Sequence, residues 1–402
     1  MDRSSTVRQR ENVNIIDEFL SLMKSNIRQY AMYIALVVIV VFFSLSTKGT
    51  FIKAANIVNL INQVGYIAVL AIGMTLILVI RHIDLSVGYV AGFAGAIAAI
   101  LLKNGMNEWI SILIVLIIGL AIGLYQGALV SFVKVPAFVT TLAGMFIFRG
   151  LLLLVLQNTG TIIVENKNFN LLSNGNIPDI TIYSSLHLLT IIVGVLAVAF
   201  MIYAKVRNRV NKMRYNFQVV SRPVFIAGTI LMSILIMAIV WVLANYNGIP
   251  LTAFIVGVVL AIYNFMLNNT RLGRYIYSIG GNPEAALLSG INVKKVTLFC
   301  FCSMGVLSAL AGILYTSRLQ SAAPATGVGF ELDAIASAYI GGVAVAGGVG
   351  RVTNTIVGAF IIIALTNGMN LMYVDAAFQY IVKGIIFVIA VAFDVISQRS
   401  SK

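Results

Sequence analysis

The sequence predicts an all-α fold, a polytopic bundle of transmembrane helices. The chain is 60% hydrophobic and only 10% charged over 402 residues, whereas a soluble domain carries roughly 25% charged residues. Its apolar residues form continuous runs of about 20 residues, the length that a helix needs to cross a hydrocarbon core about 30 Å thick. Because only helices and closed barrels satisfy every backbone group in lipid, continuous runs predict helices surrounded by a lipid bilayer.

About twelve such runs divide the predicted membrane domain, residues 31–396. We predict spans at 31–47, 57–80, 86–103, 110–130, 136–157, 183–204, 224–245, 250–267, 296–316, 332–349, 353–371 and 377–396. The run at 332–349 is rich in glycine and less apolar than the others. We therefore expect a span there that is broken or re-entrant.

The basic residues predict which loops face the cytoplasm. The net charge is +14, and the cations cluster between apolar runs, in loops 205–223 and 268–295, as the positive-inside rule requires of cytoplasmic loops. Twelve spans place both termini on that side, so segment 1–30, which lacks a cleaved-signal pattern, and tail 397–402 are predicted to be cytoplasmic. Separate clusters are not the continuous basic stripe of a nucleic-acid-binding protein, so nucleic acid is not a predicted partner.

A weak internal repeat links the two halves of the chain. Residues 126–138 (QGALVSFVKVPAF) and 367–378 (NGMNLMYVDAAF) each lead into a span, and the acidic strings at 83–86 and 331–333 each precede a span rich in Gly and Ala. In the predicted topology the two copies enter the membrane from opposite sides. This pattern is typical of inverted repeats in transporters.

The residues that usually carry catalysis or metal binding do not form a recognisable pattern. The two histidines, His82 and His187, lie far apart in the sequence, and Cys300 and Cys302 fall on different faces of a helix. No glycine-rich loop of the G-x-x-x-x-G-K-[ST] type occurs in the sequence. We expect neither an enzyme nor a resident cofactor, and ATP, if it drives this protein, requires a separate subunit.

The polar segment between Arg271 and Lys295 predicts a short helix with defined ends. Asn282 suits the N-cap, Pro283 the first helical position and Glu284 the positive end of the helix dipole. Gly290 can end the helix at its carboxyl side. Taken alone, these residues favour an ordinary structured loop over a functional one.

Motifs along the whole membrane domain resemble those of monosaccharide ABC-importer permeases. The segment 280–293 (GGNPEAALLSGINV) is similar to the coupling loop of that family, and motifs in family order extend the resemblance from residue 57 to 396. They are Gly73-Met74, 83–88 (IDLSVG), 136–142 (PAFVTTL), 331–336 (ELDAIA), Gly341-Gly342, 347–350 (GGVG) and Asn367-Gly368. The extra material at 183–245 resembles the D-xylose and multiple-monosaccharide branch more than the ribose or galactose branches.

The resemblance implies a transport subunit of the bacterial inner membrane with several partners. They are a cytoplasmic ABC ATPase that holds ATP and Mg, an extracytoplasmic sugar-binding protein and a second copy of the permease in a homodimer. It also implies a coupling helix that docks on the ATPase. The predicted coupling residues are Gly281, Asn282, Pro283, Glu284, Ala285, Ala286, Ser289 and Gly290.

Polar side chains within or beside the spans are candidates for the sugar path. A neutral sugar needs hydrogen-bonding groups, although such groups in a membrane more often join helices. An acid in the membrane is a functional candidate, yet Asp84 and Asp333 both lie at helix starts, where capping of free N–H groups is the explanation that we favour. The candidates are Asn62, Gln63, Asp84, Gln126, Thr140, Thr141, Asp333, Asn367, Asn370 and Gln379.

Two other kinds of transporter remain as alternatives. An ABC permease for nucleosides or branched-chain amino acids has the same architecture and differs only in motif details. An ion-coupled secondary transporter needs carboxylates deep in the membrane, whereas the acids here lie at the predicted ends of spans. The sequence therefore favours the sugar permease.

Overall fold

The computed structural model describes residues 27–179, 181–182, 186–215, 217 and 219–400. The helices, in chain order, are α1 (Ile27–Ser46), α2 (Ala54–Val79), α3 (Val87–Lys103), α4 (Glu108–Ala128), α5 (Ala137–Leu156), α6 (Lys167–Asn174), α7 (Leu188–Arg214), α8 (Arg222–Ala244), α9 (Leu251–Asn269), α10 (Arg271–Gly281), α11 (Pro283–Leu288), α12 (Val293–Leu319), α13 (Phe330–Ile340), α14 (Val352–Leu371) and α15 (Ala376–Ser400). A π-helical turn, Leu129–Val133, extends α4. Most of the predicted N-terminal segment 1–30 and the end of the tail 397–402 lie outside the described residues.

The strands in the described ranges are two residues long and form two small antiparallel pairs. β1 (Ile162–Ile163) pairs with β4 (Ser321–Ala322), and β2 (Thr181–Ile182) pairs with β3 (Leu186–His187). The all-α prediction is therefore confirmed for the part of the chain that the structure describes.

A helix lies at each of the twelve predicted spans. Eight helices in the described ranges are long and apolar enough to cross a membrane, and three shorter apolar segments lie in α1, α3 and α15. The predicted span at 332–349 is broken: α13 ends at Ile340, after 11 residues, and residues 341–350 form turns. Eleven residues make only about 16 Å of helix, too short for the hydrocarbon core.

The contacts divide the chain into two units. One unit contains Met32–Asn176 and Pro250–Lys402, and the other contains Ile177–Ile249. In the larger unit, α2 and α12 are the central helices, with 72% of the residues in their most apolar stretches buried. Helix α2 packs against α13 and α14, whereas α12 packs against α3 and α4. Each central helix therefore packs on the helices that follow the other one.

This crossed packing reveals the two copies of the repeat, α2–α5 and α12–α15. Gln126 and Asn367 are 241 residues apart, and the same offset brings the bounds of all four helices in one copy close to those in the other. The end of α2 at Val79 and the coupling segment before α12 lie together, because α10 contacts α2 and a Cβ atom at Gly280 would collide with Val79 O. Helices α2 and α12 therefore run in opposite directions, so the repeat is inverted.

Small residues let α4 and α12 approach closely. A Cβ atom at Gly119 would lie 2.6 Å from Gly305 O, and one at Gly305 would collide with Gly119 O. Gly123 packs on the backbone of Phe301, and Gly127 packs on the Phe301 side chain. Glycines at these positions therefore allow the close approach that is common between membrane helices.

The smaller unit is a helical hairpin of α7 and α8. Gly194 packs against Val240, and Asp179 accepts hydrogen bonds from Leu189 N–H at 2.6 Å and Thr190 N–H at 2.9 Å at the start of α7. Only 11% of the residues in the most apolar stretch of each helix are buried. Helix α7 continues to Arg214, so the first half of the predicted basic loop 205–223 is helical.

Candidate functional site

The predicted coupling segment folds into two short helices, α10 and α11. Asn282 Oδ1 accepts from the backbone N–H groups of Glu284 and Ala285, both at 3.0 Å, and Pro283 occupies the first helical position. The side chain of Asn282 thus satisfies two of the free N–H groups at the helix start. The predicted N-terminal cap of α11 is confirmed.

Gly290 ends α11 as predicted. Its φ of +80° is a left-handed conformation that glycine adopts at low cost. Ile291 N–H donates to Ala286 O at 3.1 Å and Gly290 N–H donates to Leu287 O at 3.0 Å, which is the hydrogen-bond pattern of a Schellman motif. Because both ends are closed by specific contacts, α11 has a fixed length and direction.

Arg81 fastens the coupling segment to the central helix α2. It follows α2 with a φ of +65°, and its side chain donates from Nε to Gly280 O at 2.7 Å and from Nη2 to Gly281 O at 2.6 Å. Tyr277 Oη donates to Gly350 O at 2.8 Å in the turns after α13. The junction of α10 and α11 therefore contacts both α2 and the segment between α13 and α14.

The face of α11 that points away from the bundle is apolar at its carboxyl end. The exposed fraction is 63% for Leu287 and 89% for Leu288, whereas Ala286 is buried. Glu284 and Ser289 are exposed beside them. The sequence prediction did not include the two leucines, although an apolar pair inside an otherwise polar loop is a readable sign of a docking surface.

Three of the predicted path residues meet at the start of α3. Asp84 Oδ1 accepts from Ser86 N–H at 2.9 Å and from Ser86 Oγ at 2.7 Å. Gln126 Nε2 from α4 donates to Ser86 Oγ at 2.9 Å, and Thr141 Oγ1 from α5 donates to Ile83 O at 3.3 Å. We call Asp84, Ser86, Gln126 and Thr141 the Asp84 cluster. Asp84 closes the turn just before α3 by bonding to Ser86, the residue at the N-cap position, and in the described structure makes no bond to the free N–H groups of the first turn, so the capping role that we favoured is wrong here.

A second group joins α2 to α14. Asn56 Nδ2 donates to Asn367 Oδ1 at 2.9 Å, and Asn367 Nδ2 donates to Gln63 Oε1 at 3.4 Å. We call these three residues the Asn367 cluster; Asn56 was not among the predicted residues. The neighbouring Asn62 keeps a buried Oδ1 without a hydrogen-bond partner in the described structure.

The remaining predicted residues lie apart from these two clusters. Gln379 Nε2 donates to Asn370 Oδ1 at 2.7 Å between α14 and α15. Thr140 has a buried Oγ1 that finds no partner within the described residues. The ten predicted path residues thus form several separate groups in the described structure. Most of these groups join two helices, or a helix and a loop. Their role in sugar passage stays a prediction.

The capping role that we favoured for Asp333 is wrong. Asp333 lies inside the first turn of α13, and its two carboxylate oxygens each accept from Lys383 Nζ of α15 at 3.0 Å. Its partner is 50 residues away in the sequence, beyond the reach of local patterns. Two residues earlier, Glu331 is buried with an Oε2 atom that has no partner in the described ranges, beside Gly88 at the start of α3.

Three aromatic rings form a further group that the sequence prediction missed. The ring centroids of Tyr66, Tyr315 and Phe330, on α2, α12 and α13, are separated by 4.8 to 4.9 Å. Near the end of α12, Arg318 Nη2 donates to Asn59 Oδ1 of α2 at 3.0 Å. Aromatic side chains with a few polar groups are the usual lining of small-molecule sites.

An inverted repeat of apolar helices, with a short capped helix just before its second copy, is the architecture of a membrane permease. The family described as branched-chain amino acid transport system / permease component matches residues 56–391. The chain belongs to this family. It is a multi-pass protein of the inner membrane.

Curated relatives are similar over almost their whole length. The chain is 36% identical to the xylose transport system permease protein of Escherichia coli (strain K12) over 384 residues, 95% of each chain. It is 36% identical to the protein of the same name from Haemophilus influenzae, over 94% of this chain and 99% of the relative. It is 32% identical to the ribose import permease protein of Escherichia coli (strain K12), over 90% of this chain and 92% of the relative. No solved structure matches.

Proposed function

We propose that this chain is the membrane-spanning subunit of an ATP-driven importer for a monosaccharide, xylose or a related pentose or hexose. The named cargo of its relatives, xylose in two cases and ribose in a third, supports a small sugar. An extracytoplasmic binding protein delivers the sugar, and a second copy of the chain completes the channel. ATP and Mg bind to a separate cytoplasmic ATPase.

The observation that carries this proposal is the exposed α11 fastened to α2. Leu287 and Leu288 provide an apolar anchor for a groove on the ATPase. A small number of such anchors usually supplies most of the binding energy of an interface. Arg81 transmits the movement of α11 to α2 through the carbonyls of Gly280 and Gly281. Because α2 is a central helix of the bundle, a movement of α11 reaches the packing between the two repeats.

The sugar path, in this proposal, passes the aromatic group of Tyr66, Tyr315 and Phe330. The two tyrosines are only half-buried, and each adds a hydroxyl group that can bond to a sugar. Replacing Tyr66 by Phe should therefore slow uptake while the ATPase still binds.

Uptake into proteoliposomes tests the function directly. The chain is reconstituted with its cognate ATPase and binding protein and given xylose, glucose, galactose, arabinose, ribose and a nucleoside, each with and without internal ATP. We expect ATP-dependent accumulation of a monosaccharide. Accumulation driven by an ion gradient without the ATPase would overturn the proposal, and ATP-dependent uptake of the nucleoside alone would correct the cargo.

The docking surface has its own test. Leu288→Asp should weaken co-purification of the ATPase by about 30-fold, the effect of losing a hot spot of about 2 kcal/mol. Glu284→Ala and Gly290→Val should instead reduce uptake per ATP hydrolysed. The matched control is Leu171→Asp, at a half-exposed leucine of the short helix α6. If Leu171→Asp and Leu288→Asp act alike, α11 is not the docking element.

A further inference from the structure

The hairpin of α7 and α8 has a fixed antiparallel register. Gly194 lies opposite Val240, and the Arg209 guanidinium lies 4.8 Å from the centre of the Phe225 ring. The same register places Lys212 opposite Arg222, at the point where α8 begins. Since Lys212 and Arg222 are both exposed, the two cations flank the open end of the hairpin.

Four cations line this end of the hairpin, and we call them the crevice cations. Lys205, Arg209 and Lys212 are spaced by four and three residues, so they share one face of α7, and Arg222 adds a fourth charge from α8. This is the face that contacts α8, because Arg209 packs on Phe225. Arg207 and Arg214 are turned to the opposite face of α7 by the same helical geometry.

Arg209 is held in place by contacts inside the hairpin. Its Nη1 donates to Val220 O at 2.6 Å, and its guanidinium stacks on the Phe225 ring. Val220 precedes Arg222 by two residues, so this hydrogen bond holds the start of α8 against α7. The guanidinium has five N–H donors, and the bond to Val220 uses only one of its nitrogens.

The hairpin sequence supplies no anion for these cations. No Asp or Glu occurs between Asp179 and Glu284. Asp179 lies at the opposite end of α7, where it accepts the hydrogen bonds of Leu189 and Thr190. A cluster of positive charge without a carboxylate in its own hairpin attracts an anion from outside the hairpin.

The position of the cluster along the hairpin indicates which anion this is. Residues 223–244 of α8 carry no charge, and 22 residues of helix are about 33 Å long, close to the hydrocarbon thickness of about 30 Å. Arg222, and Lys212 opposite it, therefore lie at the level of the lipid headgroups. The sides of both helices are apolar and exposed, as they must be to contact acyl chains.

We propose that the crevice cations bind the phosphate headgroup of an anionic phospholipid. Cationic clusters next to membrane helices attract anionic lipids by about 1 kcal/mol per charge, and guanidinium groups bind phosphate by paired, charge-assisted hydrogen bonds. The acyl chains of the bound lipid lie along the apolar sides of α7 and α8. This binding is independent of the sugar that the protein carries.

Retention of lipid by the purified full-length protein tests this site. Lys212→Gln/Arg222→Gln removes two exposed crevice charges, and Arg207→Gln/Arg214→Gln removes two charges from the opposite face as a matched control. After extraction from membranes and washing in neutral detergent, phosphatidylglycerol and cardiolipin are quantified by mass spectrometry. We expect the crevice variant to retain about tenfold less anionic lipid than wild type, and the control variant to retain nearly as much as wild type.

Three results would overturn the proposal. The first is equal retention by the two double variants, which would indicate only a diffuse attraction to the leaflet. The second is a wild-type protein that retains phosphatidylglycerol and phosphatidylcholine equally from mixed nanodiscs. The third is release of the bound lipid by millimolar inorganic phosphate at constant ionic strength, which would identify a site for free phosphate. The nanodisc measurement needs no variant, so a folding defect cannot obscure it.

Discussion

The helices of the two repeats correspond in order and in their approximate bounds, but their polar contacts differ. Gln126 and Asn367 occupy equivalent positions, yet Gln126 bonds to Ser86 within its own repeat, whereas Asn367 bonds to Asn56 and Gln63 of the other. The bounds of the helices follow from span length, which the membrane fixes for both copies. Side-chain contacts have no such constraint, so each repeat has its own way of joining its helices.

The acidic residues near the start of α3 and of α13, Asp84 and Asp333, differ in the same way. Asp84 is satisfied by Ser86, two residues along the chain, whereas Asp333 depends on Lys383 from another helix. A local contact persists when neighbouring helices separate, and a distant ion pair does not. Of these two acids, only Asp333 of the α12–α15 repeat joins two helices through an ion pair in the described structure.

The largest effect is expected when that ion pair is broken. Lys383→Met leaves the carboxylate of Asp333, which is 15% exposed, without its counter-ion, and should lower the free energy of unfolding by about 3 kcal/mol. Asp84→Asn should cost only about 1 kcal/mol, because an amide oxygen can still accept from Ser86. Reversible unfolding in mixed micelles measures both values.

The double variant Asp333→Leu/Lys383→Met is the control for the lost charge. It should be within about 1 kcal/mol of wild type, because replacing both members of a buried pair by apolar groups is often neutral. If it is as unstable as Lys383→Met, the contribution of the pair is packing and the contrast with Asp84 disappears.

The next effect concerns the crossing of α4 and α12. A Cβ atom at Gly305 would collide with Gly119 O and lie 2.8 Å from Gly123 N, so Gly305→Ala should cost about 2 kcal/mol by overpacking. The equivalent residue in the other repeat, 241 positions earlier, is Val64, so close backbone approach at this position is specific to α12. The same unfolding assay measures the loss.

Gly257 of α9 provides the matched glycine. A Cβ atom there has no heavy atom within 4 Å, so Gly257→Ala should not lower stability, and its higher helix propensity favours the folded state. An equal loss for both variants would show that the effect at Gly305 is not steric.

The sequence predicted the features that depend on local chemistry. The positions of the twelve helices follow from apolar runs, and the ends of α11 follow from Asn282, Pro283 and Gly290, whose preferences act within a few residues. The contact of Asp333 with Lys383 joins residues on different helices, and no local pattern encodes it. The break after Ile340 was visible as a glycine-rich run, but the close approach of this segment to α2 requires the folded bundle.

A smaller effect tests whether the Asp84 cluster and the Asn367 cluster are energetically independent. Double-mutant cycles should give a coupling of about 0.6 kcal/mol for Asn56 with Asn367, and the same for Ser86 with Gln126, as is typical of hydrogen bonds between membrane helices. The cross-cycle of Asn367 with Gln126 should give no coupling within about 0.4 kcal/mol, since the two residues share no partner. A cross-coupling as large as the other two would join both clusters into one site.

The smallest effect compares two threonines at equivalent positions on the central helices. Thr75 Oγ1 pairs with Thr355 Oγ1 at 2.8 Å, so Thr75→Val should cost about 0.6 kcal/mol. Thr316 Oγ1 is buried beside Gly95 and finds no partner among the described residues. Because valine has nearly the same shape without the unpaired polar atom, Thr316→Val should be neutral or slightly stabilising. Equal losses in the unfolding assay would mean that Thr316 has acquired a partner, such as a buried water, and that the two central helices are more alike than their contacts indicate.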